Sequence, residues 1–96
     1  MKIDMMEKHP LGSQAFIPMK ETSFLVFVAP KGAKPNPKKI EAFTIPKQTG
    51  INYNPGVWHF PLISTKDMNF LVIDRKGKGK NLIIHKFKEE KIYLSK

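Results

Sequence analysis

The sequence predicts an all-β fold, an antiparallel sandwich or barrel made of many short strands. Eight prolines and six glycines interrupt the chain at short intervals. The segments between them are rich in β-branched and aromatic residues, which favour strands. No window keeps apolar residues at helical spacing over several turns, so no long amphipathic helix is predicted. A chain of 96 residues is expected to form a single domain, residues 1–96.

In the first half of the chain, each predicted strand is an apolar or alternating segment bounded by turn residues. The segment FLVFVAP is continuously apolar, which is typical of a strand buried on both faces. The polar stretch PKGAKPNPKK that follows it is predicted to be a loop, because it combines lysines with prolines. The strand segments are KIDMM (2–6), QAFIPM (14–19), FLVFVAP (24–30) and EAFTI (41–45).

The second half of the chain also consists of apolar or alternating segments bounded by turn residues. KEEKI (88–92) is the best helical candidate, and it is too short to form a stable helix. Many short strands with frequent turns are typical of an antiparallel sandwich or a small barrel. The strand segments are GINYN (50–54), HFPLIS (59–64), NFLVID (69–74), NLIIHKF (81–87) and KIYLS (91–95).

Charge and composition exclude some classes of function. The net charge is +9, which suits nucleic acid, yet Arg75 is the one arginine among 17 basic residues. Arginine is the residue that phosphate and base recognition favours, so we expect a solvated lysine surface and no nucleic-acid partner. No apolar run is long enough to span a membrane, and no membrane partner is expected. Because the chain has no cysteine and its first residues do not resemble a signal peptide, a cytoplasmic location is expected.

The stretch GINYNPGVWHFPL (50–62) places a histidine directly after a tight turn. Pro55 and Gly56 favour this turn, which fixes the direction of the strand that follows. Neighbouring strand residues point to opposite faces, so Trp58 and His59 must diverge. If Trp58 packs between sheets, His59 faces the interior of the barrel. We expect His59 to lie at the mouth of that interior and to be partly buried.

A second polar cluster lies near the N-terminus, in MEKHPLGSQAF (6–16). Glu7 and His9 are two residues apart and therefore share one face of a strand. Gln14 begins the strand that returns after the PLGS turn. Together with His59, these residues predict a weak site for a divalent transition metal with open coordination positions.

These segments, with FLVFVAP and FLVIDRKGKGKNL, closely resemble the ureidoglycolate lyase family (also called ureidoglycolate hydrolase). The resemblance is in the same order along the chain and extends from about Met6 to Tyr93. It implies a cupin-like double-stranded β-helix, a small jelly-roll barrel. It also implies cleavage of ureidoglycolate into glyoxylate and urea, in the allantoin branch of purine breakdown. Members of the family usually carry a further β-rich N-terminal segment, which this chain is expected to lack.

The resemblance and the chemistry of ureidoglycolate together predict the functional residues. His59, His9 and Glu7 are predicted to be catalytic, because splitting ureidoglycolate needs a proton acceptor and a proton donor. The predicted metal ligands are His9, His59, Glu7 and Gln14. The predicted substrate-binding residues are Gln14, Arg75 and Ser13.

Arg75 is predicted either to bind the substrate carboxylate in a bidentate manner or to be an ordinary loop arginine. Ser13 is interpreted as a turn hydroxyl rather than a nucleophile. His85 is interpreted as an ordinary strand histidine. Phe60 stands where the family tends to have a second histidine.

Two other functions remain open from the sequence. One is a small cupin that binds a metal or a small anion without this reaction, because a fold does not fix a function. The other is a basic accessory protein that binds nucleic acid. A homodimer is also expected, because long apolar strands such as FLVFVA and NFLVI would otherwise expose an edge or a face.

Overall fold

A computed structural model describes residues 2–64, 68–75, 77–87 and 92–93. This part of the chain is all-β, and every strand pairing in it is antiparallel. Its helical content is one 3₁₀ turn at Pro37–Lys39, which Asn36 caps through its side chain. The strands are β1 (Lys2–Ile3), β2 (Met5–Lys8), β3 (Gln14–Pro18), β4 (Phe24–Ala29), β5 (Glu41–Ile45), β6 (Ile51–Tyr53), β7 (Trp58–His59), β8 (Phe70–Asp74), β9 (Ile83–Lys86) and β10 (Ile92–Tyr93).

The strands form two main sheets and a short ribbon. The larger sheet has the order β5-β4-β7-β2-β9, the smaller sheet has the order β6-β3-β8, and β1 pairs with β10. Neighbours in these sheets are often distant in sequence, as in a jelly roll rather than a simple meander. The all-β prediction is confirmed, and the architecture is consistent with a cupin-like small barrel.

Strand β4 explains how the larger sheet is covered on both faces. Phe24 and Val26 belong to one buried cluster, which includes Tyr53 from the smaller sheet. Phe27 and Ala29 belong to a second cluster on the opposite face. The continuous apolar run at 24–29 therefore has the both-faces burial that its composition predicts.

Trp58 is the largest side chain of the second cluster and is 1% exposed. Its indole Nε1–H donates to the carbonyl oxygen of Gly32 at 3.0 Å. Lys8 donates to the same carbonyl at 2.9 Å, and its ammonium lies 4.7 Å from the centre of the Trp58 ring. The start of the lysine-rich loop is thus held by hydrogen bonds from β7 and β2, and a cation–π contact joins Lys8 to Trp58.

Each observed strand overlaps a predicted segment, but most are shorter than predicted, and KIDMM (2–6) is divided between β1 and β2. The segment HFPLIS (59–64) gives a strand only at Trp58–His59, followed by an isolated bridge between Leu25 and Ile63. A proline at position 61 lacks the N–H that a longer ladder needs, which explains the interruption. Most of KEEKI and most of KIYLS lie outside the described residues. No helix in the described part of the chain is long and apolar enough to cross a membrane.

Two edge strands expose large apolar side chains. Strand β8 is the last strand of the smaller sheet, and Leu71 and Ile73 on it are 52% and 55% exposed. Strand β9 is the last strand of the larger sheet, and Ile84 on it is 49% exposed. Exposed apolar edge strands are surfaces that proteins commonly cover by association.

Candidate functional site

The register of β2 and β7 brings a carboxylate and an imidazole together. Glu7 is paired directly with His59, so both side chains lie on the same face of the larger sheet. On the other side of β7, His59 is paired with Val28. Because side chains alternate along a strand, Trp58 enters the opposite cluster while His59 faces the smaller sheet.

The turn before β7 also positions His9. The N–H of Val57 donates to the carbonyl of Asn54 at 3.2 Å, which closes the turn. Gly56 has a φ of 83°, a left-handed conformation that favours glycine. Its N–H donates to the carbonyl oxygen of His9 at 3.0 Å. The same turn therefore sets the direction of His59 and anchors the backbone of His9.

Asn81 fixes the ring of His9. The Nδ1 atom of His9 lies 2.7 Å from the backbone carbonyl of Asn81. A carbonyl can only accept, so Nδ1 carries the proton and Nε2 is left as an acceptor. The side-chain oxygen of Asn81 accepts from the N–H of Leu11 at 2.8 Å, which holds Asn81 to the same loop.

His59 has the same tautomer for the same reason. Its Nδ1–H donates to the carbonyl of Val57 at 3.1 Å, so Nε2 is again an acceptor. The Oε1 atom of Glu7 lies 3.6 Å from Nε2 of His59 and 4.0 Å from Nε2 of His9. Both imidazole Nε2 atoms are buried and have no hydrogen-bond partner among the described residues.

Glu7, His9 and His59 therefore form a group of converging acceptors, which we call the acceptor trio. One possible ligand atom from each residue lies within 4.8 Å of the other two. Acceptors brought this close without a donor between them suit a cation, or a ligand that supplies an acidic proton. Two imidazoles and one carboxylate are also a donor set that divalent transition metals accept with coordination positions left open.

Glu7 and His59 of the acceptor trio line a largely apolar cavity of about 440 Å³, whereas His9 is not part of its wall. Glu7, Tyr53 and His59 are its polar members, and the rest of its wall is aliphatic, aromatic or proline. Apolar walls lower the local dielectric and strengthen the electrostatic effect of the few polar groups among them. The residues that line it are Glu7, Phe16, Tyr53, His59, Phe60, Pro61, Leu62, Met68, Phe70 and Val72.

Burial shifts the pKa values of His59 and Tyr53, two of the polar residues that line the cavity. The pKa of His59 is lowered from 6.5 to about 4, and burial is the largest cause. The hydrogen bond to Val57 opposes this shift, and the nearby His9 adds to it. His59 is therefore neutral at pH 7 and keeps its Nε2 lone pair. Burial, together with the negative charge of Glu7, raises the pKa of Tyr53 well above its ordinary value.

Two predicted substrate-binding residues, Arg75 and Ser13, do not line the cavity. Arg75 is exposed, and its Nη2 donates to the carbonyl of Lys78 at 2.8 Å. Its side chain also packs against Gly12, where an added Cβ would lie 2.5 Å from Cβ of Arg75. Ser13 is exposed beside it. Their predicted roles in substrate binding stay predictions.

Gln14 is half-buried at the start of β3, where it pairs with Tyr53 on one side and Asp74 on the other. Its Nε2 donates to the carboxylate of Asp74 at 3.3 Å. Its Oε1 is buried and has no hydrogen-bond partner among the described residues. Gln14 does not line the cavity, so its predicted metal and substrate roles also stay predictions.

His85 lies on β9 opposite Met6, on the far face of the larger sheet. Its ring contacts Trp58 at 6.3 Å and Phe87 at 5.1 Å between ring centres. This environment agrees with the interpretation of His85 as an ordinary strand histidine. It also makes His85 a suitable control for the two histidines of the acceptor trio.

The expectation that His59 is only partly buried is wrong, because the residue is 2% exposed. The stacked ring of Tyr53 covers it at 4.1 Å between ring centres, with planes 10° apart. Sequence reasoning missed Tyr53 and Asn81, the two residues that cover or orient the imidazoles. Tyr53 lies in the GINYN segment directly before the turn. Alternation along this strand does not tell which of its side chains are buried, so the position of Tyr53 over His59 could not be predicted from it.

The comparisons with known proteins agree with one another. Residues 1–94 match the sequence profile of a protein family described as ureidoglycolate lyase. The chain is 46% identical over 93 residues to the ureidoglycolate lyase of Azotobacter vinelandii, covering 96% of this chain and 56% of that protein. It is 49% identical over 89 residues to a ureidoglycolate lyase of Pseudomonas fluorescens, covering 92% and 53%. For the Pseudomonas aeruginosa protein of the same name the values are 48% over 95 residues, covering 98% and 56%. The chain thus spans about half the length of the curated relatives it matches.

The buried His59 predicts that stability depends on pH. In the unfolded chain His59 takes up a proton near pH 6.5, whereas in the folded protein it does so near pH 4. Stability that is fully present above pH 6.5 is therefore lost as the pH falls towards 4, by on the order of 3 kcal/mol, with no further loss from this group below that. Denaturant unfolding at pH 7, 6, 5 and 4, with a metal chelator present, measures this change.

The matched control is His59→Gln, which cannot titrate. Its unfolding free energy should be lower than that of the wild type at pH 7 and should depend less steeply on pH between 7 and 4. Equal slopes for the two proteins over this range would contradict the assignment of the pH dependence to His59.

Proposed function

The chain belongs to the ureidoglycolate lyase family, and we propose that it splits ureidoglycolate into glyoxylate and urea. The observation that carries this proposal is the acceptor trio, two members of which line a largely apolar cavity. The matched relatives that carry this name support it. We place the reaction in the allantoin branch of purine breakdown and in the cytoplasm, where a cysteine-free chain is common.

The reaction needs little beyond positioned proton acceptors and donors. One carbon of ureidoglycolate bears a hydroxyl, a carboxylate and a ureido nitrogen. The hydroxyl loses its proton, the carbon–oxygen bond becomes the aldehyde of glyoxylate, and the carbon–nitrogen bond breaks. The electron pair of that bond stays on the nitrogen, which takes up a proton and leaves as urea. One proton moves from oxygen to nitrogen, so no co-reactant is required.

His59 supplies a suitable base for the hydroxyl proton. Its Nδ1–H is held by Val57, so the free lone pair on Nε2 is the one directed to the site. An imidazole that is neutral at pH 7 can accept a proton and return it to the leaving nitrogen. The Glu7 carboxylate at 3.6 Å stabilises the positive charge that forms on the ring in between.

The acceptor trio also fits a divalent transition metal, because three acceptors converge there with no donor of their own. Glu7, His9 and His59 would hold it, and once bound it would lower the pKa of the substrate hydroxyl. An Nε2 atom that binds a metal cannot act as a base. A metal-free His59 base and a metal held by the trio are therefore alternatives, and metal titration with activity measurements separates them.

We also propose that the protein forms a homodimer through the exposed edges of β8 and β9. Leu71, Ile73 and Ile84 would lose water contact in such an interface, which is the main driving force for association. The net charge of +9 on each copy opposes association. Because salt screens this repulsion, the dimer should be stronger at higher ionic strength.

Urea release from ureidoglycolate tests the proposed reaction. His59→Gln should reduce the rate of release by about 10²- to 10⁴-fold, because it removes the proton acceptor. His85→Gln is the matched control and should reduce it far less. Circular dichroism and the unfolding midpoint establish that each variant is folded, and Glu7→Gln is the second variant if His59→Gln does not fold. A wild type that releases no urea, with or without divalent metal, overturns the proposed function.

Calorimetric titration with Zn²⁺ or Mn²⁺ tests the metal site. The wild type should bind one ion per chain weakly, and Glu7→Gln or His9→Gln should weaken binding by at least about tenfold. His85→Gln should bind as the wild type does. Chelator should leave the unfolding midpoint of the wild type almost unchanged, because the core does not depend on the ion. Equal binding by the wild type and the Glu7 and His9 variants would remove the trio as the site.

Light scattering tests the dimer. The wild type should have twice the 11.0 kDa of one chain at micromolar concentration. Ile73→Lys should shift it towards the monomer, while Phe43→Lys, at an exposed position of β5 on the opposite edge of the larger sheet, should not. A wild type that remains a monomer at high salt contradicts the proposal.

A further inference from the structure

The hydroxyl of Tyr53 is a buried polar group in the cavity wall that the reaction described above does not use. Tyr53 is 6% exposed, and its hydroxyl has no hydrogen-bond partner among the described residues. A buried hydroxyl without a partner destabilises the folded protein, and a phenylalanine would fill the same space without that cost. The position of the hydroxyl therefore points to a ligand.

The ring that carries this hydroxyl is held rigidly. Tyr53 stacks on His59 with ring centres 4.1 Å apart and packs edge-on against Phe16 at 5.8 Å. Its strand, β6, pairs with β3, and Tyr53 lies directly opposite Gln14. A donor supported by two rings and a strand ladder has a fixed direction, which recognition of a small ligand requires.

Tyr53 is also distinct in the kind of hydrogen bond it offers. Among the described side chains that line the cavity, Glu7 only accepts, and the Nδ1–H of His59 is already given to Val57. The other lining side chains carry no hydrogen-bond donor. Within this wall, Tyr53 therefore supplies the available side-chain donor.

We propose that Tyr53 donates a hydrogen bond to the carbonyl oxygen of the substrate's ureido group, an inference that rests on the proposed function for its catalytic consequence. The substrate hydroxyl is a donor, so it faces the acceptor trio. The ureido carbonyl is an acceptor, and against an apolar wall it would be left unpaired unless Tyr53 donates to it. The assignment thus gives both the hydroxyl and the ureido carbonyl of the substrate a complementary group of the protein.

This hydrogen bond strengthens during the reaction. As the carbon–nitrogen bond breaks, its electron pair moves onto the nitrogen and is shared with the adjacent carbonyl oxygen. The negative charge on that oxygen grows, and a fixed donor stabilises it most when the charge is largest. Tyr53 keeps its own proton throughout, because the proton lost by the substrate hydroxyl is the one that the leaving nitrogen gains.

The variant Tyr53→Phe isolates the hydroxyl, because it keeps the stacked ring. We expect kcat for urea release to fall by about 10- to 10³-fold, with a smaller change in KM. The unfolding midpoint should be no lower than that of the wild type, because the hydroxyl has no partner to lose. A purely structural role would instead lower the midpoint and leave kcat unchanged.

Two non-reacting ligands test the contact without turnover. N-carbamoylglycine keeps the ureido group and the carboxylate but has no hydroxyl to deprotonate, and glycolate keeps the hydroxy acid but has no ureido group. Measured by calorimetry, Tyr53→Phe should bind N-carbamoylglycine about three- to tenfold more weakly than the wild type, and glycolate equally well. His85→Gln should bind both as the wild type does.

The outcomes separate this inference from the proposed function. Weaker binding of N-carbamoylglycine by Tyr53→Phe, with no urea release by the wild type, would retain the contact and reject the reaction. Urea release that is equal in the wild type and Tyr53→Phe would retain the reaction and reject the role of Tyr53. Equal binding of N-carbamoylglycine by both proteins, or no binding by the wild type, would also reject it.

Discussion

The placement of β7 between β2 and β4 is the constraint on which both the core and the site depend. This strand is two residues long, and each residue serves a different face of the larger sheet. Trp58 fills one buried cluster and His59 faces the other. The pairing of His59 with Glu7 and with Val28 fixes the height of the imidazole in the sheet. A buried indole with a hydrogen bond to Gly32 prevents the strand from rotating or slipping.

The positions of the strands along the chain follow from the sequence, whereas the pairing of the strands into sheets does not. Apolar runs between turn residues predict nearly all the strands. The alternation of side chains along a strand predicts that Glu7 and His9 lie on one face. The order of strands in the sheets depends on pairings between distant segments, such as Gln14 with Tyr53, which leave no local pattern. For the same reason the burial of His59 was underestimated, because the ring that covers it comes from another sheet. The packing of the Arg75 side chain against Gly12 also depends on contacts that the sequence does not show, and its predicted role in substrate binding stays a prediction.

The polar end of the cavity is maintained at the expense of stability. The Nε2 atoms of His9 and His59 and the Tyr53 hydroxyl are all buried without hydrogen-bond partners among the described residues. Each such atom destabilises a protein by roughly 1–3 kcal/mol, a large share of what a small domain has to spare. Functional sites are where proteins commonly depart from well-satisfied cores. The dense aromatic packing around Tyr53 and Trp58 offsets part of this loss.

The turn at 54–57 and the start of β7 form a segment whose length cannot change without loss of the site. Its backbone contacts both the carbonyl of His9 and the start of β7, so the number of residues between Gly56 and His59 sets which ring enters which face. Insertion or deletion of one codon there would exchange the faces of the indole and the imidazole, leaving a polar ring in the apolar cluster and removing the histidine from the cavity. Substitutions in this segment can accumulate one at a time, but length changes cannot. Evolutionary insertions should therefore be confined to loops that do not set strand parity, such as the lysine-rich loop at 31–39.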